Sequence, residues 1–245
     1  MVQIHGATTT ASIQKLTLDT TPLKVFLYQK TPTALVGIDL NKIPGVYTLK
    51  AVLRNGQTLS KTITIDARTK PLMTLGIPES LGGNSTTSED AMVATLNSEN
   101  KTLAHLRTNS KPLWIEKFMP PLTNIFVTNP YGYTRQTGAY QIPHKGVDYR
   151  AAIGTPVTVI NSGIVRLVAN YRDYGKMVVV DHGLGVMSFY LHLSEINVSE
   201  GQVVQRGQII GLSGDTGYAE GPHLHLSIRI NGVSVDPVTF LKLFQ

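Results

Sequence analysis

Short stretches in which apolar and polar residues alternate dominate the first 66 positions of the chain. The run from Val46 to Leu53 alternates closely, and the run from Leu59 to Ile65 returns with the same period of two. That period places apolar side chains on one face of a β-strand. The residues between the two runs include Asn55-Gly56, which tolerates positive φ and favours a hairpin turn. With further strands predicted at residues 13–18, 23–28 and 34–40, the region is predicted to form a small β-sandwich.

The pattern changes after residue 66. Thr87-Ser88-Glu89-Asp90 matches a pattern that caps helix N-termini. Apolar residues then recur at roughly helical spacing, at Met92, Leu96, Leu103 and Leu106. A helix is therefore predicted over residues 88–106. Asn109-Ser110-Lys111-Pro112 marks its boundary, because proline disfavours helical backbone in the residue before it.

From about residue 114 the sequence again predicts strands. Short, valine-rich runs are separated by Gly, Asn and Asp, and they lie at residues 156–160, 163–169, 177–181 and 186–191. The predicted fold class is therefore mainly β, with one helix. We divide the chain into three parts: an N-terminal β-rich, immunoglobulin-like domain over residues 1–70, a helical linker over 71–113 and a second β domain over 114–245.

Composition narrows the classes of partner and of chemistry. The 245 residues carry a formal net charge of +6, which favours anionic partners: nucleic acid, an anionic membrane or an anionic cell-wall polymer. Lysine and arginine are scattered rather than clustered, so no nucleic-acid partner is expected. The chain has no cysteine, which excludes disulfides, thiolate catalysis and cysteine-ligated zinc. No window approaches ~18 consecutive apolar residues, so no transmembrane segment is predicted.

Five residues of the C-terminal part have the spacing of a metal-dependent hydrolytic site. His144 and Asp148 stand four apart and can face the same side of a helix or a strand. His223 and His225 stand two apart, so in a strand both imidazoles share one face, and His192 ends an apolar run. A catalytic zinc ion uses three protein ligands, often histidine and carboxylate, and keeps a fourth position for water. His144, Asp148 and one of the two C-terminal histidines can supply these ligands, while the remaining histidines can act as general base and electrostatic support.

Other sequence patterns do not compete with this site. The chain has no Gly-x-Ser-x-Gly nucleophile elbow and no His-Glu-x-x-His helix motif. His182 lies in a turn signature and is predicted to be structural, whereas His105 is predicted to lie on the surface of the helix. Arg135 lies in a predicted loop, where it either contacts a substrate carboxylate or is simply solvated.

The histidines belong to a longer pattern that resembles the M23 zinc metallopeptidases, the lysostaphin-type cell-wall endopeptidases. The similar stretches occur in order between about residues 118 and 240, at 144–151, 154–157, 180–183, 190–193, 198–204, 207–211, 213–217 and 221–225. The resemblance implies that the C-terminal domain is an antiparallel β-sheet with a metal-binding groove.

The resemblance also implies roles for individual residues. His144, Asp148 and His225 fall on the family's zinc ligands. His192 and His223 fall on its two other active-site histidines, which orient or deprotonate the water and stabilise the oxyanion. Because all five positions are filled, the resemblance implies an active enzyme with Zn2+ as its cofactor.

This sequence departs from the family's pattern at two places. The family often has Glu two residues beyond the last ligand, where this chain has Ser227, which implies a different support for that ligand. The family's substrate-side tyrosine has two candidates here, Tyr140 and, in reserve, Tyr133.

The function implied by the resemblance is that of a zinc endopeptidase that hydrolyses peptide bonds in the stem or the cross-links of peptidoglycan, its expected partner. The alternative is an autoinhibited or inactive metal-binding module that binds cell wall or a cell-envelope regulatory protein. Either implies an exported protein, periplasmic or associated with the cell wall. The start of the sequence lacks the basic, apolar and small-residue pattern of a signal peptide, so the targeting segment is expected to be missing from this sequence.

Overall fold

The computed structural model describes residues 1–5, 7, 9–114 and 116–244. The chain divides into two compact units, Met1–Arg68 and Thr69–Gln245. Both are built mainly from antiparallel β-strands, as the sequence predicts. In the described ranges no helix combines the length and the hydropathy that crossing a membrane requires.

The first unit consists of two antiparallel sheets that share a core. Its strands are β1 (Val2–Gln3), β2 (Ile13–Leu18), β3 (Thr21–Pro22), β4 (Phe26–Tyr28), β5 (Thr31–Ala34), β6 (Gly45–Leu53) and β7 (Thr58–Ile65). One sheet has the order β3-β2-β6-β7 and the other the order β1-β5-β4. Leu16, Ala34 and Leu53 are buried together between them. The predicted hairpin is confirmed, because β6 and β7 pair antiparallel around a turn in which Gly56 has a φ of 87°.

One strand predicted in this unit is misplaced. Residues 35–40 lie outside the strands, and the strand observed here is Thr31–Ala34. The turn before it consists of Gln29 and Lys30, which both have positive φ, at 47° and 63°. Such a two-residue turn fixes the register of β4 and β5. Neither residue is Gly, Asn or Asp, so the sequence carried no signal for a turn at this point.

A ten-stranded antiparallel sheet forms the frame of the second unit. The strands of this unit are β8 (Leu72–Thr74), β9 (Val127–Asn129), β10 (Thr134–Thr137), β11 (Tyr140–Pro143), β12 (Val147–Arg150), β13 (Pro156–Thr158), β14 (Gly163–Tyr171), β15 (Gly175–Gly183), β16 (Val186–Ile196), β17 (Val203–Val204), β18 (Ile209–Ser213), β19 (His223–Ile230) and β20 (Val233–Val235). The central order of the large sheet is β17-β14-β15-β16-β19-β12-β9. A separate three-stranded sheet has the order β11-β10-β8.

The helix α1 (Thr86–Ala104) packs against the central strands of the large sheet. The helix predicted over 88–106 is confirmed, but it begins two residues earlier. Ser85 caps its N-terminus, since its Oγ accepts a hydrogen bond from the N–H of Ser88 at 3.2 Å. Near its C-terminus, Leu103 is buried against Met177, Val179, Met187, Phe189 and Leu191.

A second helix, α2 (Pro237–Lys242), was not predicted. Asp236 caps it and accepts hydrogen bonds from the N–H groups of Val238 and Thr239, at 3.0 and 3.4 Å. Proline at the first helical position suits this start, so Asp236-Pro237 was a readable signal. Phe240 of α2 packs against Phe118 with ring centroids 4.9 Å apart.

Candidate metal centre and catalytic histidines

Two paired strands bring the three predicted ligands together. β12 pairs with β19 so that Asp148 lies opposite His225, and His144 lies just before β12. The Oδ1 of Asp148 is 3.1 Å from Nε2 of His144 and 2.7 Å from Nδ1 of His225, and the two nitrogens are 3.1 Å apart. All three residues are buried. Side chains 81 positions apart in sequence therefore converge on one point.

The chemistry of these donor atoms fits a bound zinc ion. The Nδ1–H of His144 donates to the carbonyl of Pro130 at 3.0 Å, and burial lowers the pKa of His144. The imidazole is therefore neutral, and its Nε2 presents a lone pair. That lone pair faces the Asp148 carboxylate, which can only accept, so the two atoms need a cation between them. Ligand atoms of a tetrahedral zinc site stand about 3.3 Å apart, close to the 2.7–3.1 Å separations observed.

The second oxygen of Asp148 is held by side chains outside the cluster. Its Oδ2 accepts hydrogen bonds from Nη2 of Arg135 at 2.8 Å and from Nδ2 of Asn129 at 3.2 Å. Burial alone would raise the pKa of Asp148, but the adjacent imidazoles of His144 and His225 and the charge of Arg135 hold it well below its usual range. The carboxylate is therefore ionised and fixed in orientation.

Arg135 and Asn129 contact Asp148 although they lie 13 and 19 positions away in the sequence, a separation that matches no short motif. Arg135 lies in β10 rather than in the predicted loop, and its guanidinium is directed to a carboxylate of the chain itself. Asn129 ends β9, which pairs with β12. Neither position carried a local motif, so only the pairing of strands identifies them.

Gly146 is required by the close passage of one imidazole. A Cβ on this residue would lie 2.2 Å from Nε2 of His225 and 2.7 Å from the carbonyl oxygen of Leu226. Any side chain here would displace a proposed ligand. The glycine between His144 and Asp148 thus accommodates His225.

The other two histidines lie beside the cluster and are anchored in the same way. The Nδ1–H of His192 donates to the carbonyl of Thr216, and that of His223 donates to the carbonyl of Gly221, both at 2.8 Å. Their ring centroids are 4.8 Å apart, and that of His192 is 6.0 Å from that of His225. Since Nδ1 of His192 carries the proton, Nε2 of its neutral ring is an acceptor.

The environments of these two histidines differ. His192 has a φ of 60°, a left-handed conformation that is rare outside glycine and occurs at functional sites. Burial, together with His223 and His225, holds the pKa of His192 well below its usual value, so the ring is neutral near pH 7. The Nε2 of His223 is buried 3.7 Å from Oδ1 of Asp148, and it has no hydrogen-bond partner among the described residues.

Ser227 occupies the position at which a glutamate was expected. Its Oγ–H donates to the carbonyl of Lys145 at 2.6 Å. This bond ties β19, which carries His225, to the segment that joins His144 and Asp148. A serine therefore supports the geometry of the cluster through the backbone.

The two tyrosine candidates have different surroundings. The ring of Tyr133 lies 4.6 Å from that of His144 between centroids, and its hydroxyl accepts a hydrogen bond from Nε of Arg135 at 3.1 Å. The hydroxyl of Tyr140 donates to Asp90 of α1. Tyr133 thus touches a proposed ligand, whereas Tyr140 joins the β10–β11 hairpin to the helix.

The remaining histidines of this unit lie outside the cluster, as predicted. His182 is fully buried, its Nδ1–H donates to the carbonyl of Ser162 at 2.9 Å, and its Nε2 accepts from Oγ of Ser188 at 2.8 Å. Burial lowers its pKa to about 4, which suits a neutral structural residue. His105 lies exposed at the C-terminus of α1.

A pair of buried carboxyl groups near the cluster was not foreseen from the sequence. Glu99 of α1 accepts hydrogen bonds from the backbone N–H groups of Asp173 and Tyr174, at 3.1 and 3.3 Å, and so holds the β14–β15 turn. The Oδ2 of Asp173 is buried without a hydrogen-bond partner among the described residues. Burial and the neighbouring Glu99 raise the pKa of Asp173 to about 7.

We expect Asp173→Asn to stabilise the protein above neutral pH. The folded protein holds a proton on Asp173 more tightly than the unfolded chain does, so the stability that this proton provides is present at about pH 4 and is lost as the pH rises through about 7. An uncharged amide removes that loss. The free energy of unfolding at pH 8 should rise by on the order of 2 kcal/mol, with little change at pH 5. Urea unfolding at both pH values measures it, with the exposed Asp215→Asn as control. Equal stability of Asp173→Asn and the parent at pH 8 would contradict the expectation.

Comparison with known proteins is consistent with this geometry. Residues 142–237 match the model of Peptidase family M23. The chain is 48% identical over 94 residues to the peptidoglycan DD-endopeptidase ShyA of Vibrio cholerae, which covers 38% of this chain and 22% of that protein. It is 38% identical over 120 residues to the DD-carboxypeptidase/endopeptidase Mpg of Neisseria meningitidis, covering 49% of this chain and 28% of that one. The matched regions thus span about a quarter of the curated relatives' length.

A similar solved structure extends over more of the chain. A Pseudomonas aeruginosa protein assigned to peptidase M23 superposes with a TM-score of 0.68 at 27% identity, and the match covers 94% of this chain and 88% of that one. The matched residues include the three members of the cluster and both flanking histidines: His144, Asp148, His225, His192 and His223. Residues 142–237 therefore form a domain of peptidase family M23.

Proposed function

We propose that this chain is a zinc-dependent endopeptidase that hydrolyses peptide bonds in the stem or the cross-links of bacterial peptidoglycan. The observation that carries this proposal is the buried triangle of His144, Asp148 and His225, beside two further histidines. The names of ShyA and Mpg support the substrate class. A peptidoglycan substrate lies outside the cytoplasmic membrane, so the protein would act in the periplasm or at the cell wall.

The donor set favours zinc over the harder divalent cations. Two imidazole nitrogens and one carboxylate oxygen suit zinc, whereas magnesium and calcium prefer oxygen ligands throughout. When bound, the ion polarises the scissile carbonyl and activates a water molecule. The carbonyl of Pro130 fixes the tautomer of His144, and Arg135 and Asn129 orient Asp148. Such outer contacts hold a metal site in its productive geometry.

The two flanking histidines would share the movement of protons. His192 is neutral and anchored through Nδ1, so its Nε2 can take a proton from the attacking water and deliver it to the leaving amine. His223 lies next to Asp148, and in its protonated form its Nε2–H can donate to the oxygen that becomes negative as the carbonyl is attacked.

Digestion of purified peptidoglycan tests the function. We expect the protein to release soluble fragments from at least one wall chemotype, with new amino termini within the stem or cross-link identified by mass spectrometry. Treatment with a chelator should stop release, and zinc should restore it, because three of the proposed functional groups act only through the ion. Peptidoglycans with different cross-links should be compared in parallel, since they offer different peptide bonds for cleavage.

Two outcomes separate the alternatives. Stoichiometric zinc without cleavage of any chemotype would favour the autoinhibited or inactive metal-binding module. Absence of both zinc and cleavage would overturn the metal centre itself.

A further inference from the structure

A cavity extends from the metal cluster beneath α1. Its volume is about 370 Å³, and His144, His192 and His225 lie at its edge. The walls are largely apolar and come from the helix on one side and the sheet on the other, through Val93, Leu96, Leu103, Met177, Phe189 and Leu191. An extended peptide bound across the cluster would reach into this space.

Arg229 lines this largely apolar cavity, as do three other arginine, lysine or carboxylate side chains, Arg135, Lys145 and Asp173. Arg229 lies on β19 four residues after His225, and residues two and four apart on a strand share a face. Its guanidinium lies 4.5 Å from the ring centroid of Phe189, which is opposite Ser227 in the pairing of β16 and β19. The side chain therefore leans along the strand towards the cluster, and its charge lies roughly 7 Å, or two strand residues, from His225.

Arg229 has no ion-pair partner within contact distance among the described residues. Its buried Nε has no hydrogen-bond partner there. Its Nη2 makes one long contact, 3.4 Å from Oδ1 of Asn100, and that oxygen already accepts a hydrogen bond from Tyr174 at 3.0 Å. Burial lowers the pKa of Arg229, because removing the guanidinium from water disfavours its charged form. An arginine in such surroundings gains most from an incoming anion, and its planar fork matches a carboxylate.

We propose that Arg229 is a specificity-determining residue that binds a carboxylate of the peptide substrate in the cavity beneath α1. The inference rests on the proposed function. An extended peptide advances about 3.3–3.6 Å per residue, so a carboxylate at Arg229 lies within two residues of the bond that is cut. It belongs either to the C-terminus of the peptide or to a side chain. The apolar wall from α1 shields the ion pair from water and strengthens it.

The test compares stem peptides that carry carboxylates with the same peptides in which either the terminal or the side-chain carboxylate is amidated. We expect the metal-loaded parent to cut one carboxylate form with a kcat/KM about tenfold to a hundredfold above that of its amide, the range for one charge-assisted contact. Whichever amide loses activity identifies the source of the carboxylate. Arg229→Gln should abolish this preference by slowing only the carboxylate form, and Arg229→Lys should keep part of it.

Arg206→Gln serves as the matched control, because it removes an arginine that pairs with the exposed Glu116 and does not line the cavity. Thermal unfolding of each variant checks that the fold is kept. The proposal is overturned if the parent cuts acid and amide forms equally, or if Arg229→Gln slows both alike. Binding of analogues whose scissile amide is replaced by a methylene-amine link gives a second measurement that needs no turnover. If these bind with the same carboxylate preference while no peptide is cut, Arg229 keeps its assigned role and the endopeptidase proposal fails.

Discussion

Replacement of His225 by alanine is expected to abolish metal binding and to lower peptidoglycan cleavage by about 10³-fold or more. The side chain supplies one of three donor atoms, and its Nδ1 lies 2.7 Å from Oδ1 of Asp148. The two remaining donors, His144 and Asp148, would leave an ion with too few protein ligands for a stable zinc site. Plasma mass spectrometry of the purified protein measures the metal content, and release of soluble fragments measures cleavage.

The matched control for this variant is His105→Ala, which removes an exposed histidine at the end of α1. It should keep one equivalent of metal and the parent's activity. Circular dichroism checks that His225→Ala is folded, as expected because Arg135 and Asn129 still hold Asp148. If His225→Ala retained one equivalent of zinc, the ion would have to lie elsewhere in the protein.

Local spacing indicated five candidate site residues but did not by itself choose between the two C-terminal histidines. His223 and His225 share a face of β19, so periodicity treats them alike. The structure separates them through strand pairing, since Asp148 lies opposite His225 and Gly146 leaves room for that imidazole alone. That distinction depends on the register between β12 and β19, which no short motif encodes.

The groups that surround the cluster are set by contacts between distant segments. The hydrogen bond from Arg135 to Asp148 spans 13 positions, and that from the N–H of Asp173 in the β14–β15 turn to Glu99 spans 74. Arg229 follows the histidine pair at strand spacing in the sequence, but its place in a cavity depends on α1, which packs over the sheet. The helix and the strands on which it packs were both predicted, whereas the packing of the helix against those strands was not.

Backbone turns could likewise be predicted from the sequence only where a local residue favours them. The Asn55-Gly56 hairpin was predicted because Gly56 can adopt the positive φ that it shows. The turn at Gln29 and Lys30 has positive φ at both residues, and neither residue favours it, so tertiary packing must offset its local cost. His192 is a third case, in which a non-glycine residue at positive φ lies beside the metal cluster.

Replacement of His192 should separate proton transfer from metal binding. Its imidazole does not belong to the donor triangle, so His192→Ala should keep one equivalent of zinc. Cleavage should fall by about 10²–10⁴-fold, the usual contribution of a positioned general base. Because alanine tolerates the φ of 60° poorly, His192→Asn provides a second variant whose side chain fits a left-handed backbone. Metal content, thermal unfolding and cleavage rate measured on both variants distinguish loss of the base from loss of the fold.

The pH dependence of cleavage distinguishes a base from a merely structural histidine at this position. Burial and two neighbouring imidazoles hold the pKa of His192 well below its ordinary value, so its neutral form persists to acidic pH. Activity of the parent should therefore be present at pH 7 and should fall only as the pH drops below about 6.5, the ordinary histidine range. The residual activity of His192→Asn should lack this acidic limb. If the variant kept the limb while losing only a constant fraction of its rate, the proton acceptor would be another group, and His223, 4.8 Å away between ring centroids, would take that role.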